Sequence, residues 1–215
     1  VGNPVGGTIN YTPDTSIGVL DAADVQTILV SGGDDGNVID LGDGQGLGGV
    51  DTGVFTNLTA VTIEGGNGHD EIYGTLNFTD VINSGDGNDE IFIGGATATV
   101  DGGDGNDTIT GGSAADVING GDGNDVIKGM DGDDVIDAGD GHDVVDGGDD
   151  EDSITGGHGH DVLSGGDDDD WINGKSGNDE LYGGDGSDVM HGGSGHDHME
   201  GGEDADTVNG QGYND

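Results

Sequence analysis

The chain has 215 residues, of which 52 are glycine, and its formal net charge is −45, because 47 acidic residues face only Lys128 and Lys175. Such a charge excludes nucleic acid and anionic membrane surfaces as partners, and a hydrophobic fraction of 29% is too small for an ordinary globular core. The composition alone is typical of a disordered chain, and since there is no cysteine for disulfide bonds, we expect a bound metal to stabilise the fold.

The first 64 residues are predicted to form irregular β coils that cap the rest of the chain. Apolar runs at 25–30, 38–41 and 54–63 are separated by turns rich in glycine and aspartate. No run approaches the roughly 20 apolar residues of a membrane span. The sequence begins at Val1 without the pattern of a secretory signal and stops at Asp215 inside a repeat, so we expect a fragment of a longer protein.

A nine-residue unit repeats fourteen times between residues 84 and 209 without an insertion. Residues 102–110 read GGDGNDTIT and residues 120–128 read GGDGNDVIK, and we number the positions of each unit as places one to nine. A further unit covers 65–73, a ten-residue unit covers 74–83, and a partial unit begins at 210. This regularity argues against a flexible acidic linker, except in the absence of metal, when the linker description is expected to hold.

Place eight is aliphatic in all fourteen units and is predicted to point inward. Because strand residues alternate between two faces, places seven and nine then point outward, and the glycine-rich hexamer turns the chain between three-residue strands. One strand cannot bury a face alone, so we predict two stacked parallel sheets with two units in each eighteen-residue coil. The inward residues are Ile91, Val100, Ile109, Ile118, Ile127, Ile136, Val145, Ile154, Leu163, Ile172, Leu181, Met190, Met199 and Val208.

Burial of these residues is too weak to hold the fold by itself. One inward side chain contributes about 1.5–3 kcal/mol, whereas ordering nine residues costs about 1–2 kcal/mol each in backbone entropy. Calcium takes six to eight oxygen ligands on a chain that turns sharply, and glycines at places one, two and four are expected to permit positive φ and let carbonyls converge. Oxygen ligands and flexible loops favour Ca²⁺ over Mg²⁺.

Place six supplies the carboxylates expected to bind this metal. Only Ala98 interrupts the pattern within the fourteen units, and the flanking units contribute one aspartate each. The candidate ligands are Asp70, Asp89, Asp107, Asp116, Asp125, Asp134, Asp143, Asp152, Asp161, Asp170, Asp179, Asp188, Asp197, Asp206 and Asp215.

This pattern resembles the RTX, or hemolysin-type, calcium-binding nonapeptide repeat GGxGxDxUx over about residues 65–215. The resemblance implies an all-β, right-handed parallel β-roll in which ions lie between turns of adjacent coils. It also implies that place-six aspartates of both turns bind each ion, so that Asp107 and Asp125 share one. The carbonyls of places one to four are the other implied ligands: Gly65, Gly66, Asn67, Gly68, Ser84, Gly85, Asp86, Gly87, Gly102, Gly103, Asp104, Gly105, Gly120, Gly121, Asp122, Gly123, Ala138, Gly139, Asp140, Gly141, Gly156, Gly157, His158, Gly159, Gly174, Lys175, Ser176, Gly177, Gly192, Gly193, Ser194 and Gly195.

Alternate units form two columns of turns. The first column begins at residues 65, 84, 102, 120, 138, 156, 174, 192 and 210, and the second at 93, 111, 129, 147, 165, 183 and 201. In the second column place four is Asp or Ala in five of seven units, so we expect weaker or fewer ions there, with Asp150, Asp168 and Asp204 in a left-handed conformation. The ceiling is thirteen Ca²⁺, whose 26 positive charges would offset more than half of the formal charge of −45.

Place five of the first column contains only Asn or His, for which we predict a preference for positive φ as the reason. A less favoured hypothesis is a Zn²⁺ or Ni²⁺ site formed by His142, His158 and His160. Trp171, Tyr73 and Tyr182 on the outer faces could stack against sugars, although surface aromatics usually have no such role.

The sequence has no HExxH motif, no cysteine nucleophile and no Gly-x-Ser-x-Gly elbow, so we predict that the chain is not an enzyme. The resemblance implies a bacterial protein that leaves the cell by type I secretion and folds on Ca²⁺ outside or at the cell surface. The alternatives are a calcium-stiffened spacer of an adhesin or surface-layer protein and an accessory module of a polysaccharide epimerase or lyase. Expected partners are calcium, flanking domains of the same polypeptide and a glycan, for a monomer that does not insert into membranes.

Overall fold

The computed structural model describes residues 7–11, 25–33, 36, 38–40 and 59–210, and in these residues the chain forms strands and turns with no helix. None of this described part could therefore cross a membrane as a helix. The strands are β1 (Gly7–Tyr11), β2 (Val25–Gly33), β3 (Val38–Asp40), β4 (Ala60–Asn67), β5 (Glu71–Tyr73), β6 (Thr79–Asp86), β7 (Glu90–Phe92), β8 (Ala98–Asp104), β9 (Thr108–Thr110), β10 (Val117–Asp122), β11 (Val126–Asp131), β12 (Val135–Gly141), β13 (Val144–Asp149), β14 (Ser153–Gly159), β15 (Val162–Asp167), β16 (Trp171–Ser176), β17 (Glu180–Asp185), β18 (Val189–His191), β19 (His198–Glu203) and β20 (Thr207–Asn209).

Successive strands alternate between two parallel sheets. Sheet A contains β1, β2 and the even-numbered strands from β4 to β20, and sheet B contains the odd-numbered strands from β3 to β19. The register places identical repeat positions side by side, since Ile118 pairs with Val100 and Ile136, one coil away on either side. The predicted parallel β-roll with eighteen-residue coils is confirmed.

The strands described before residue 65 continue the same two sheets. Strand β2 pairs with β4 in sheet A, and β3 pairs with β5 in sheet B. The predicted boundary between residues 64 and 65 lies inside β4. Whether residues 1–64 act as a cap stays a prediction, and most of them lie outside the described residues.

Most strands are longer than the three residues predicted. Strand β10, for example, runs through places seven to nine and then through places one to three of the following unit, where Gly121 pairs with Gly139 and Asp122 with Asp140. The backbone hydrogen bonding between coils therefore continues into the first half of each turn. The prediction of three-residue strands holds only for strands such as β7 and β9.

The interior is built from places six, eight and one. Place-eight side chains from Ile91 to Met190 are buried, as predicted, and Met199 is partly buried. Val208 pairs with Met190 and so occupies the same position of the strand, but it is 50% exposed in β20, the last described strand of sheet A. Place six lies on the same side as place eight because the alternation of strand faces extends through it. The place-six carboxylates are therefore inside the roll, beside the aliphatic core.

Candidate calcium sites

Glycine has a different role at different places of the turn. At place two, Gly103 and Gly121 have φ of 92° and 111°, and at place four Gly105 and Gly123 have φ of 139° and 143°, as predicted. Place one was predicted wrongly, because its glycines do not adopt a left-handed φ. A Cβ on Gly102 would instead lie 2.4 Å from the carbonyl oxygen of the next coil and 2.7 Å from a carboxylate oxygen. Glycine at place one thus provides space beside the carboxylate.

Five residues other than glycine adopt the left-handed conformation within the described residues. Asp150, Asp168 and Asp204 do so at place four with φ between 71° and 79°, which confirms the prediction for the second column. Met130 and Lys175 do so at place two, with φ of 85° and 68°, which the sequence reasoning missed. Each such residue costs about 1–2 kcal/mol relative to glycine.

The place-six aspartates are linked by a hydrogen-bonded ladder along each column. The backbone N–H of Asp107 donates to Oδ1 of Asp125 one coil later, at 2.8 Å, and Oδ1 of Asp107 accepts the N–H of Asp89, also at 2.8 Å. The same bond recurs from Asp70 to Asp197 in the first column and from Ala98 to Asp206 in the second, at 2.7–3.1 Å. One oxygen of each carboxylate is thereby fixed in orientation.

The second carboxylate oxygen is buried and accepts no hydrogen bond through most of both columns. A buried carboxylate oxygen without a donor is costly, so it requires a proton or a cation. Lys128 and Lys175 are the only lysines, and neither forms an ion pair within the described residues. The oxygens in this state are Oδ2 of Asp89, Asp107, Asp125, Asp134, Asp143, Asp152, Asp161, Asp170, Asp179, Asp188 and Asp197.

Burial changes the protonation of these carboxylates. Desolvation, reinforced by neighbouring carboxylates of the same column, raises the pKa of Asp107, Asp134, Asp152 and Asp170 to about 7, and that of Asp143 and Asp179 to about 6. Burial also raises the pKa of Asp89, Asp116, Asp125, Asp161 and Asp188. Without a cation, therefore, the folded protein holds Asp107, Asp134, Asp152 and Asp170 partly protonated at neutral pH.

This donor set fits a hard cation. The place-six side chains turned inward offer carboxylate oxygens, and place-one carbonyl oxygens lie beside them, as that of Gly120 does beside Asp107. No three His, Asp or Glu side chains converge in the part of the chain that the structure describes. Carboxylate and carbonyl oxygens are the ligands of Ca²⁺. The place-six aspartates from 70 to 206 lie where predicted, Asp215 lies outside the described residues, and ligation by places one to four stays a prediction.

The beginning of the second column differs from the rest, and sequence reasoning missed how. Asp80 is fully buried, but Oδ2 accepts the N–H of Thr75 at 2.5 Å and Oδ1 accepts its hydroxyl at 2.9 Å. The next coil has Ala98 at place six, and Oδ2 of Asp116 accepts the N–H of Gly112 at 3.2 Å. These first turns are therefore closed by the protein's own donors. The ten-residue unit containing Thr75 was the available signal.

Place five of the first column forms a second ladder, and our predicted reason for its composition is wrong. None of its described residues has a positive φ. Instead, each backbone N–H donates to the side chain one coil earlier: Asn124 to Oδ1 of Asn106 at 2.7 Å, and His160 to Nδ1 of His142 at 2.8 Å. Asn Oδ1 and His Nδ1 occupy equivalent positions on their side chains. Both residue types of the column therefore present an acceptor to the backbone of the next coil.

The same bonds argue against the transition-metal hypothesis. Nδ1 of His142 accepts the N–H of His160, Nδ1 of His160 accepts the N–H of Asn178 at 2.7 Å, and Nδ1 of His158 lies 2.6 Å from Oγ of Ser176. The rings of His142 and His160 stack with centroids 5.0 Å apart. A neutral imidazole has one in-plane lone pair, so Zn²⁺ binding to His142 or His160 would break the ladder.

The repeats are also recognised by comparison with known proteins. The family model for the RTX calcium-binding nonapeptide repeat matches the chain in overlapping stretches that together cover residues 60–215. No curated protein sequence matches the chain.

Proposed function

Because the chain belongs to the RTX calcium-binding nonapeptide repeat family, we propose that it is the calcium-dependent folding module of a secreted bacterial protein. In this proposal the chain is unfolded where calcium is scarce, passes through a type I secretion system, and folds outside or at the surface of the cell. The observation that carries the proposal is the column of buried Oδ2 atoms without a donor. Such a fold is stable only when something neutralises its interior.

Different groups of the turn have different roles in binding the ions. The N–H of each place-six aspartate fixes the next carboxylate through Oδ1, which leaves Oδ2 directed to the turn, as in Asp107 and Asp125. The carbonyls of places one to four complete each site, and the left-handed glycines let them approach. Calcium, when bound, supplies the positive charge that the chain lacks. Binding free energy then becomes folding free energy, since the ligands of one ion come from two coils.

The two columns are proposed to differ in affinity. The first column has glycine at place four in all of its described turns, and it offers up to eight ions between nine turns. The second column offers up to five, with strain at Asp150, Asp168 and Asp204. Oδ2 of Asp116 already accepts a backbone N–H, so the site nearest to Ala98 is proposed to be the weakest.

A rigid spacer is the second candidate function. The register between coils is continuous from β4 to β20, with no break in either sheet. At about 4.8 Å per strand, the nine strands of sheet A from β4 to β20 extend about 40 Å. Such a rod would suit an adhesin or surface-layer protein, with catalysis, if any, in other domains of the polypeptide. The module itself is proposed to be non-catalytic and monomeric.

A calcium titration followed by far-UV circular dichroism tests the proposal. EDTA-treated protein should change cooperatively from coil to β structure with calcium, and magnesium at equal concentration should not produce the change. A β signal that persists unchanged in EDTA would refute calcium-dependent folding. In that case the rigid-spacer function would remain, for a roll that is stable without metal.

A further inference from the structure

The outer face of sheet A loses its acidic residues in its last four strands. Places seven and nine of β14, β16, β18 and β20, together with place three where β14 and β16 reach it, hold only Ser, Thr, Trp, Asn, Val and His. In the three strands before them, the outward places include Asp101, Asp104, Asp122, Asp137 and Asp140. We call the outer surface of β14, β16, β18 and β20 the acid-free face. The acid-free face therefore differs from the rest of a chain whose formal charge is −45.

An open groove of about 570 Å³ lies on the acid-free face, lined by Trp171, Asn173, Lys175, His191, Gly193 and Ser194. Trp171, the only tryptophan of the chain, is 37% exposed, and its ring centroid lies 6.2 Å from that of His191 at an angle of 50°. The two rings form inclined walls. The groove therefore combines an exposed indole with polar side chains.

The polar groups of the groove are positioned as donors. Oδ1 of Asn173 accepts the N–H of Lys175 at 3.1 Å, which turns its NH₂ group away from the backbone. Lys175 replaces the usual place-two glycine at φ 68°, a strained conformation of the kind often retained at binding sites. Its ammonium group forms no ion pair in the described residues. The backbone of Lys175 accepts the N–H of Ser194 at 2.8 Å, and its side chain lies at the groove beside the single tryptophan.

The other exposed aromatic residues have different surroundings. On sheet B, the ring of Tyr73 stacks on Phe92 with centroids 4.9 Å apart and nearly parallel planes. The hydroxyl of Tyr182 donates to Glu180 at 3.0 Å, and His198 lies against the edge of its ring. Trp171 differs from both because the residues that line its groove include no Asp or Glu.

We propose that this groove binds a neutral saccharide, with a pyranose ring against the indole of Trp171. Sugar C–H groups pack on an aromatic face, while hydroxyl oxygens accept from Asn173, Lys175 and His191. A polyanionic glycan would be repelled by the field of the whole molecule, so the neutral class is favoured. The inference rests on the proposed function only in requiring the calcium-loaded roll.

Binding is tested on the calcium-saturated chain with cellohexaose, laminarihexaose and mannohexaose as neutral probes and trigalacturonate as the anionic one. The emission of the single tryptophan reports the groove directly, and calorimetry gives the dissociation constant. We expect a saturable emission change with at least one neutral probe and none with trigalacturonate. If no neutral probe binds, or if only trigalacturonate binds, the proposal is overturned.

Three variants locate the site. Trp171→Val introduces the residue found at place seven in β10, β12 and β18, so the strand should be retained, and binding should weaken at least about tenfold. Lys175→Gly restores the usual glycine, so it should weaken binding while raising the thermal midpoint. Val135→Ala, on the same sheet beside Asp137, is the control and should bind as the parent does.

The outcomes separate the two proposals. If calcium induces folding and Trp171→Val binds sugar as well as the parent, the groove assignment is wrong and the folding proposal is unaffected. If β structure forms without calcium, the folding proposal fails, and the sugar titrations of the folded protein still decide the groove. Loss of binding in Lys175→Gly together with a lowered thermal midpoint would indicate a structural role and would count against the groove.

Discussion

Replacing Asp107 by asparagine is expected to stabilise the metal-free fold and to destabilise the calcium-loaded one. Burial raises the pKa of Asp107 from 3.8 to about 7, and each pKa unit corresponds to about 1.4 kcal/mol. Ionised Asp107 therefore costs the metal-free fold about 2–4 kcal/mol above pH 7, the lower value allowing for water that enters the turn. Asparagine removes this cost, and its oxygen can still accept the N–H of Asp89.

In calcium the sign reverses, because the substitution removes a negative charge from the two sites that Asp107 borders. We expect the substitution to lower the calcium-binding free energy by about 1.4 kcal/mol or more, which corresponds to a tenfold change in affinity. The calcium midpoint should therefore rise about tenfold or more. The metal-free effect is measured as the concentration of trimethylamine N-oxide that induces β structure in EDTA, which should fall. The calcium effect is measured by titration with the same circular dichroism signal.

Asp104→Asn is the matched control, because it changes the charge equally in the same turn at an exposed position. It should shift both midpoints only slightly. The reasoning is refuted if the two variants behave alike, since general charge repulsion would then explain the effect. It is also refuted if Asp107→Asn has the same sign in EDTA and in calcium.

Three further predictions concern protonation and the two ladders. The pKa values of groups such as Asp143 and Asp134 are raised in the folded state to about 6 and 7, so their protonation favours the folded state. This contribution to the free energy of unfolding is fully present below about pH 4 and is lost as the pH rises through these pKa values. In EDTA, β structure should therefore increase between pH 8 and pH 5, and a flat profile would contradict this. His142→Asn should leave the urea midpoint in calcium nearly unchanged, whereas His142→Ala should cost about 0.5–1.5 kcal/mol, because the N–H of His160 loses its acceptor; equal effects would rule out the place-five ladder. Ala98→Asp should bind one additional calcium ion by calorimetry and lower stability in EDTA, since Ala98 is fully buried beside Asp116, and an unchanged stoichiometry would show that this turn cannot hold an ion.

The period of the sequence was sufficient to predict the fold. A buried aliphatic residue every nine positions requires paired parallel sheets, and the observed register confirms the eighteen-residue coil. Left-handed Asp150 and Asp168 also followed from their places in the repeat. Strand length was underestimated because the glycine-rich hexamer was treated entirely as a turn, although the alternation of faces continues through it.

The ladders could not be predicted from a single unit. They join a side chain to the backbone of a residue eighteen positions away, so their geometry exists only when coils are stacked. The restriction of place five to Asn and His was visible in the sequence, but a backbone preference was as good an explanation as a shared acceptor. The structure favours the acceptor, because His160 has no positive φ and its N–H donates to His142. Asp80 was likewise visible, but its pairing with Thr75 depends on the shape of an irregular turn.

Ala98 and Asp80 together indicate that the place-six carboxylates are not needed to form the turns. Ala98 occupies place six, is fully buried, and donates its N–H to Asp116 at 2.7 Å like any other member of the column, so the turn forms without a carboxylate. At Asp80 a carboxylate is kept, and Thr75 satisfies both of its oxygens. The fold can therefore omit an inward carboxylate or satisfy its oxygens with its own donors. From Asp89 to Asp197 in the first column and from Asp134 to Asp188 in the second it does neither, which makes stability conditional on a proton or a cation.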